Sequence, residues 1–418
     1  MNICVLGAGV IGLTTAYFAA KAGHSVTIVD RNGLPGQEAS YANGGQLSYS
    51  YVAPLAAPSV IPALPAYLLR RDSPLRFHLR ASVDQWSWSF NFLRACSTAS
   101  NRRHTAELAQ LAYLSRDALQ DLLRDEAIDF DYSHQGKLVI HRDGQSLAAA
   151  ASQVEFQRQL GAEQQALKAD QCIALEPSLE SLRGQFVGGV YTPSEDAGDC
   201  QKFCAALDLL LQEKYGVKRL YHHRIGALRT EGQRIRAVST DRGDLSGDIF
   251  VLTAGLGSRD LMKRIGVHLP LCGLKGYSLT LPIAADAVAP RISITDSANK
   301  IVYARLGSAI RIAAMVDIGA RHGAIENSRL TVLKRRVQQT FPNLGDLEKA
   351  FAWAGQRPAT ATGKPIIGKS PFDNLLFNVG HGALGFTLAC GSAQLVREIA
   401  ERAPTSIPID PYRYGLVH

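Results

Sequence analysis

Three glycines and one aspartate near the start of the chain have the types and spacing to hold a dinucleotide. Gly7, Gly9 and Gly12 fit G-x-G-x-x-G, with Ala8, Val10 and Ile11 between them, and Asp30 lies eighteen residues past Gly12. In such a turn the first glycine permits the tight bend and the second lets the backbone approach a pyrophosphate. The third lets the following helix pack closely on the strand, so that its N-terminal N–H groups point at the anion. An acid at the position of Asp30, followed here by Arg31, accepts hydrogen bonds from an adenosine ribose and disfavours a 2′-phosphate. A second stretch, Gly380, His381, Gly382, Ala383, Leu384 and Gly385, carries little side-chain bulk and leads to Thr387, read as the N-cap of a helix through about Ala400. A helix N-terminus there suits the pyrimidine edge of a flavin, where negative charge accumulates on reduction.

These residues need a particular set of elements around them. Residues 3–6 form an apolar run of buried-strand type, 13–22 read as a helix, and 25–29 as a second strand closing on Asp30. A lone G-x-G-x-x-G says little; with a strand before it, a helix after it and an acid ending the next strand, it defines a dinucleotide fold. Residues 217–255 alternate short strands and turns and end in IFVLTAG, whose Ala254 and Gly255 suit a late strand abutting the cofactor, and Asn378 ends another strand. Helical periodicity runs over 102–126, with Leu108, Leu111, Leu114, Ala118 and Leu122 on one face, and further helices are read at 199–215 and 328–341. Strands are read near 137–141 and 186–191, and antiparallel ones within 269–316. Trp86, Trp88, Phe90 and Phe92 are spaced by two as in a strand, within a composition that suits a helix; both readings stay open. Dinucleotide-type segments at the start, middle and end predict two interleaved domains.

At 418 residues, 46% hydrophobic and 20% charged, the chain has the size and composition of a globular enzyme with one large core or two. The net charge of +8 favours anionic cofactors, acidic lipid or nucleic acid. With no long Lys/Arg run and no zinc-finger or single-strand-binding signature, nucleic acid is not expected. Seven scattered cysteines without C-x-x-C read as the reduced thiols of a cytoplasmic protein, and Cys200 and Cys204 lack further ligands for a metal site. A cleavable leader is not expected, because the first strand is itself the cofactor strand. No apolar stretch reaches the ~20 residues of a spanning helix. Residues 53–65 are apolar and proline-rich and precede Arg70, Arg71, Arg76 and Arg80. Segment 54–69 beside Arg70 and Arg71 suits a peripheral anchor on an anionic leaflet, or else an internal lid or inter-domain hairpin.

Longer motifs now carry a family resemblance. SYANGGQLSYSYVAPLAAP at 40–58 resembles the flavin-facing loop of the bacterial D-amino acid dehydrogenases, within the glycine oxidase and D-amino acid oxidase superfamily. LKGYSLTLPI at 274–283, KIVYARLGSAIRI at 300–312, GQRP at 355–358 and GHGALGFTLACGSAQL at 380–395 resemble that family in the same order, so that essentially the whole chain is covered. The resemblance implies an α/β fold in which a Rossmann-type FAD-binding domain (1–52, 199–268 and 351–418) is interleaved with an α+β substrate domain on an antiparallel sheet (53–198 and 269–350). Residues 54–95 then form a membrane-contact or lid segment at the cytoplasmic face of the inner membrane. It implies non-covalent FAD, oxidative deamination of a small D-amino acid by hydride transfer, and electrons passed to a quinone.

Carried over residue by residue, Arg357 matches the arginine that clamps the substrate carboxylate, which agrees with the two parallel bonds a guanidinium offers. It is read within a glycine-rich loop. Tyr277 and Tyr51 are each either a pocket phenol or a core tyrosine. Lys275 either approaches the flavin or is solvated. Tyr303 and Arg305 share a strand face and either line the pocket or cover the sheet. Asn43, Gly44, Gly45 and Gln46 are expected against the flavin ring, with Ile225 also at the cofactor. Relatives often carry an acid at Thr362 and a tryptophan at Phe386, which leaves the side-chain preference open. Readings on the same scaffold include a D-proline or cis-4-hydroxy-D-proline dehydrogenase and an oxygen-using oxidase. A non-catalytic flavoprotein subunit is the reading from another class.

Overall fold

The computed structural model describes every residue except Arg71, Leu79, Ala81, Arg321, His322, Ala324, Val417 and His418. Of the four arginines read after the apolar segment, Arg71 therefore lies outside the described residues.

Strand Asn2–Leu6 is central in a six-stranded sheet ordered Ile366–Lys369, Leu375–Val379, Ile249–Leu252, Asn2–Leu6, Ser25–Val29, Lys218–Leu220. All neighbours are parallel except the hairpin formed by the first two. The strands are almost wholly apolar because both faces are covered. Ile3 and Val5 pack into a core with Leu13 and Tyr17 of helix Val10–Lys21, Leu108 and Leu111 of helix Thr98–Asp125, Phe203 and Leu207 of helix Cys200–Glu213, and Leu388 and Leu395 of helix Gly385–Ala400. Cys4 and Leu6 face the other way, onto Leu228, Ile235 and Val238 of a small three-stranded sheet and Met262 of helix Gly257–Lys263.

A second, nine-stranded sheet runs Phe351–Ala359, Cys272–Pro282, Ala309–Ile318, Ile301–Leu306, Ser293–Asp296, Lys137–His141, Gly188–Thr192, Gln165–Lys168, with Leu75–Phe77 beside Ala309–Ile318. It is antiparallel except at Ser293–Asp296 with Lys137–His141 and at Leu75–Phe77. Its core holds Tyr277, Leu279, Tyr303, Ile310 and Ile312 against Leu333 and Val337 of helix Asn327–Thr340. The chain passes between the sheets several times.

Three local expectations change, and the open reading of the aromatic cluster resolves to a helix. GQRP is not a loop: it lies in strand Phe351–Ala359, an edge strand of the second sheet, where a proline removes no ladder bond. The expected boundary at 351 consequently moves past Ala359, where an isolated bridge to His381 joins the sheets. The aromatic cluster sits on helix Val83–Ala95, with Trp88 and Phe92 buried and Trp86 and Phe90 exposed. Thr387 is not a cap: its helix starts at Gly385 with Leu384 before it, because glycine also adopts helical angles.

Candidate functional site

The glycine turn is closed tightly enough to need Gly7 and Gly12. Gly7 has φ +124°, and its N–H donates to Val29 O at 2.8 Å. A Cβ on Gly12 would overlap the Gly7 carbonyl oxygen, and the Thr253 hydroxyl donates to Leu6 O at 3.0 Å and Gly7 O at 3.1 Å. The Asp30 carboxylate accepts from the N–H of Ala8 and of Asn32, each at 2.8 Å, so it stiffens the turn from the end of the second strand. Arg31 pairs with Glu38 at the surface. Ser40, not singled out in the sequence, accepts from Val10 N–H at 3.1 Å in the first turn of the helix. Ala254 backbone lies against Gly7, and Ile225 opens strand Ile225–Glu231 beside Leu220.

The segment from Ala42 to Ser48 is held on all sides. Ser278 donates to Ala42 O at 2.7 Å, Gly45 N–H to Asn43 Oδ1 at 3.0 Å, and Gly198 N–H to Gly45 O at 2.9 Å. Gln46 and Leu47 pair with Ala197 and Asp196, and the Gln46 side-chain amide nitrogen is buried without a partner among the described residues. Ser48 N–H donates to Thr387 Oγ1 at 3.0 Å, which ties this segment to the first turn of helix Gly385–Ala400. Arg311 was missed by the sequence reading. It donates to Asn43 O at 2.8 Å and Thr280 Oγ1 at 2.7 Å and pairs with Asp199 at 3.0 Å, joining sheet, segment and helix N-cap. The legible signal was a lone arginine inside the apolar run AIRIAAMV, which a buried strand tolerates only with partners.

Gly380 and Gly382 have φ +86° and +56°, and the helix after them begins without a side-chain cap, leaving its first N–H groups for an electron-rich ligand edge. His381 shares a hydrogen bond of 3.1 Å with Ser392, and burial pushes it down to about 3, so it is neutral. The bulk-free turn at 7–12, the pinned segment 42–48 and the uncapped helix start fit FAD.

Arg357 projects from Phe351–Ala359 over the neighbouring strand. Its strand neighbour is Cys272–Pro282, with Leu274 opposite Arg357 and Gly276 opposite Gly355. A Cβ on Gly276 would overlap the guanidinium, so the glycine of LKGYS makes room for the arginine of GQRP. Arg357 Nη1 lies 3.5 Å from Met315 O. Met315 has φ +67°, left-handed for a non-glycine residue, at a bulge where the pairing of Cys272–Pro282 with Ala309–Ile318 slips between Lys275 and Tyr277. Among the described residues no carboxylate pairs with Arg357, and burial alone lowers its pKa. Tyr51 keeps 42% of its surface accessible, and burial of its phenol raises the pKa.

Tyr277 is corrected. It is buried in the second core with its hydroxyl on Asp317 at 3.1 Å, and Arg329 holds the other carboxylate oxygen at 2.7 Å. Strand alternation puts Gly276 and Ser278 on the site face and Tyr277 on the opposite one. Lys275 is buried on the Tyr277 side, its ammonium 5.6 Å from that ring. Tyr303 is likewise a core residue, edge-on to Phe341 at 4.9 Å.

A glycine turn, an uncapped helix start and an arginine-bearing sheet arranged this way define a flavin-dependent oxidoreductase. A family model described as FAD dependent oxidoreductase matches residues 2–399, and the chain belongs to that family. It is similar to D-amino acid dehydrogenase 2 of Pseudomonas aeruginosa, 46% identical over 97% of this chain and 96% of that one. D-amino acid dehydrogenase 2 of Ralstonia nicotianae is 44% identical over 99% of both chains. The fold is that of glycine oxidase from Geobacillus kaustophilus, with a TM-score of 0.78 at 20% identity over 98% of this chain and 97% of that one. L-proline dehydrogenase from P. horikoshii superposes with a TM-score of 0.77 at 15% identity over 99% and 96%. The chain is an FAD-dependent enzyme.

Proposed function

We propose that this enzyme oxidises D-amino acids to 2-oxo acids and ammonia and passes the electrons to a quinone. The names of the two relatives at 46% and 44% identity support the substrate class. The observation that carries the reading is Arg357, a desolvated guanidinium with no carboxylate partner among the described residues. Such a group binds a substrate carboxylate through two parallel charge-assisted bonds.

FAD, when bound, supplies the acceptor for the hydride leaving the substrate α-carbon. Gly7, Gly9, Gly12 and Asp30 would hold its adenosine and pyrophosphate part, and Asn43 to Gln46 with Gly382 to Gly385 its ring. Arg357 anchors the carboxylate and so fixes which face of the α-carbon is presented; the Met315 carbonyl and the neutral Tyr51 phenol complete a polar wall. The amine lone pair assists departure of the hydride, and water then converts the imino acid to 2-oxo acid and ammonia. Orientation by this chain accounts for most of the rate in this reading.

Arg357→Ala is expected to stay yellow while kcat/KM for a D-amino acid falls roughly a hundredfold or more, the loss of a charge-assisted pair of bonds. Unchanged kinetics would falsify the clamp. Anaerobic bleaching by a panel of D-amino acids, D-proline included, fixes the side-chain preference. Reduction of a quinone in place of peroxide release in air separates dehydrogenase from oxidase.

Membrane contact belongs to the same reading. Among the described residues no helix is long and apolar enough to cross a membrane. Helix Val60–Leu69 exposes Ile61, Leu68 and Leu69, and helix Val83–Ala95 exposes Val83, Trp86, Phe90 and Leu93, with Arg70, Arg80 and Arg94 accessible nearby in sequence. That combination supports shallow insertion into an anionic leaflet.

A further inference from the structure

Two ionisable side chains that the reaction above does not use lie behind residues 48–51. Lys137 opens strand Lys137–His141 and is 3% exposed, and Glu195 is fully buried just before strand Asp196–Ala197. Each feels the other's charge, but among the described residues they form no direct ion pair. Both act instead on residues 48–51. Lys137 Nζ donates to Ser48 Oγ at 2.9 Å and stands 4.1 Å from the centroid of the Tyr51 ring. Glu195 Oε1 accepts from the N–H of Ser50 at 2.7 Å and of Tyr51 at 3.3 Å. Gln157 donates to Ser50 O at 2.6 Å, and the Ser50 and Tyr113 hydroxyls meet at 3.4 Å. Burying a lysine and a carboxylate without direct pairing costs stability, and such groups gather where a site needs them.

We propose that Lys137 is a positioning residue: its ammonium, set against the Tyr51 ring, holds that wall of the substrate pocket in binding geometry and releases it on losing its proton. The proposal rests on the pocket being the one that Arg357 marks. Burial lowers Lys137 to about 8, with Glu195 opposing the shift. Burial raises Glu195, with Lys137 opposing, and burial raises the Tyr51 phenol, which keeps it neutral. Among the described residues, Glu195 and Tyr51 are the titratable groups that act on Lys137. The cation–π contact is therefore present below about pH 8 and lost above it.

The test titrates the holoenzyme with pyruvate, a carboxylate with no titrating amine, following the flavin absorbance from pH 6.5 to 9.5. The dissociation constant is expected to rise roughly tenfold across this range, with its midpoint near that of Lys137, the size of a desolvated cation–π contact. In Lys137→Met the constant is weak and flat with pH; in Lys137→Arg it is tight and flat. Tyr51→Phe keeps the step, because the ring carries the contact, and Tyr51→Leu removes it. Should Lys137→Met not fold, Lys137→Met with Glu195→Gln, which removes both buried charges, is read in the same way. A wild-type constant independent of pH, or a step that persists without Lys137, overturns the proposal. Arg357→Ala separates the two ideas: undiminished pyruvate binding there means that the pocket reading has failed, not the clamp on its wall.

Discussion

Arg357 owes its position to a residue with no side chain at all. The guanidinium occupies the space where Gly276 would carry a Cβ, and the two are brought together by antiparallel pairing of Cys272–Pro282 with Phe351–Ala359. Gly276→Ala is therefore expected to displace the arginine and raise KM about tenfold or more with FAD still bound, in steady-state assays against the holoenzyme. Arg311 makes a separate prediction. Arg311→Met leaves Asp199 buried without its cation and frees Asn43 O, so FAD affinity measured by fluorescence on release is expected to weaken, and stability to fall by about 3 kcal/mol. Lys137 and Glu195 did not stand out in the sequence, because a single ionic residue has the same spacing whether it is exposed or buried; Arg311 was marked only by the apolar run around it. Arg357 did stand out, through the motif around it, although its setting was read as a loop: Gly355 and Pro358 are turn formers, and only the ladder shows that this is an edge strand.

At the scale of elements, the first strands and the glycine turn were legible because every local preference agrees there. Ser25–Val29 and Lys137–His141 appear where the apolar runs place them. Helix Val83–Ala95 was not, for a definite reason. Gln85, Trp88, Phe92 and Ala95 form its buried stripe, while Val83, Trp86, Phe90 and Leu93 form a second, exposed stripe. Two apolar stripes on opposite sides of a helix place aromatic residues at every second position and so imitate a strand. The exposed stripe has a consequence of its own. Trp86→Ser with Phe90→Ser is expected to abolish sedimentation with anionic vesicles and leave turnover with a soluble dye in place; undiminished sedimentation would remove this helix from the membrane reading.

For the whole molecule, acid stability follows from histidines buried in neutral form. Burial lowers His104 to about 4, with Lys364 and Arg103 adding to the effect, and lowers His381 to about 3. Both lie below the unfolded value of about 6.5, so the unfolded chain binds more protons. Stability is complete above that value and is lost as pH falls toward the folded values, by about 1.4 kcal/mol per pH unit for each histidine. Thermal unfolding between pH 7.5 and 4.5 is expected to show this decline, and His104→Leu to make it shallower.

The pairing of Ile3 with Ile249 spans 246 positions. A ribosome adding about 5–20 residues per second leaves the first strand's edge unmated for roughly 10–50 s. During that interval the nascent polypeptide displays an unpaired apolar edge, with only helix Val10–Lys21 to cover one of its faces. Fragments halted before residue 249 should accumulate as insoluble, colourless material, and a holdase chaperone supplied during translation should raise the yield of yellow enzyme.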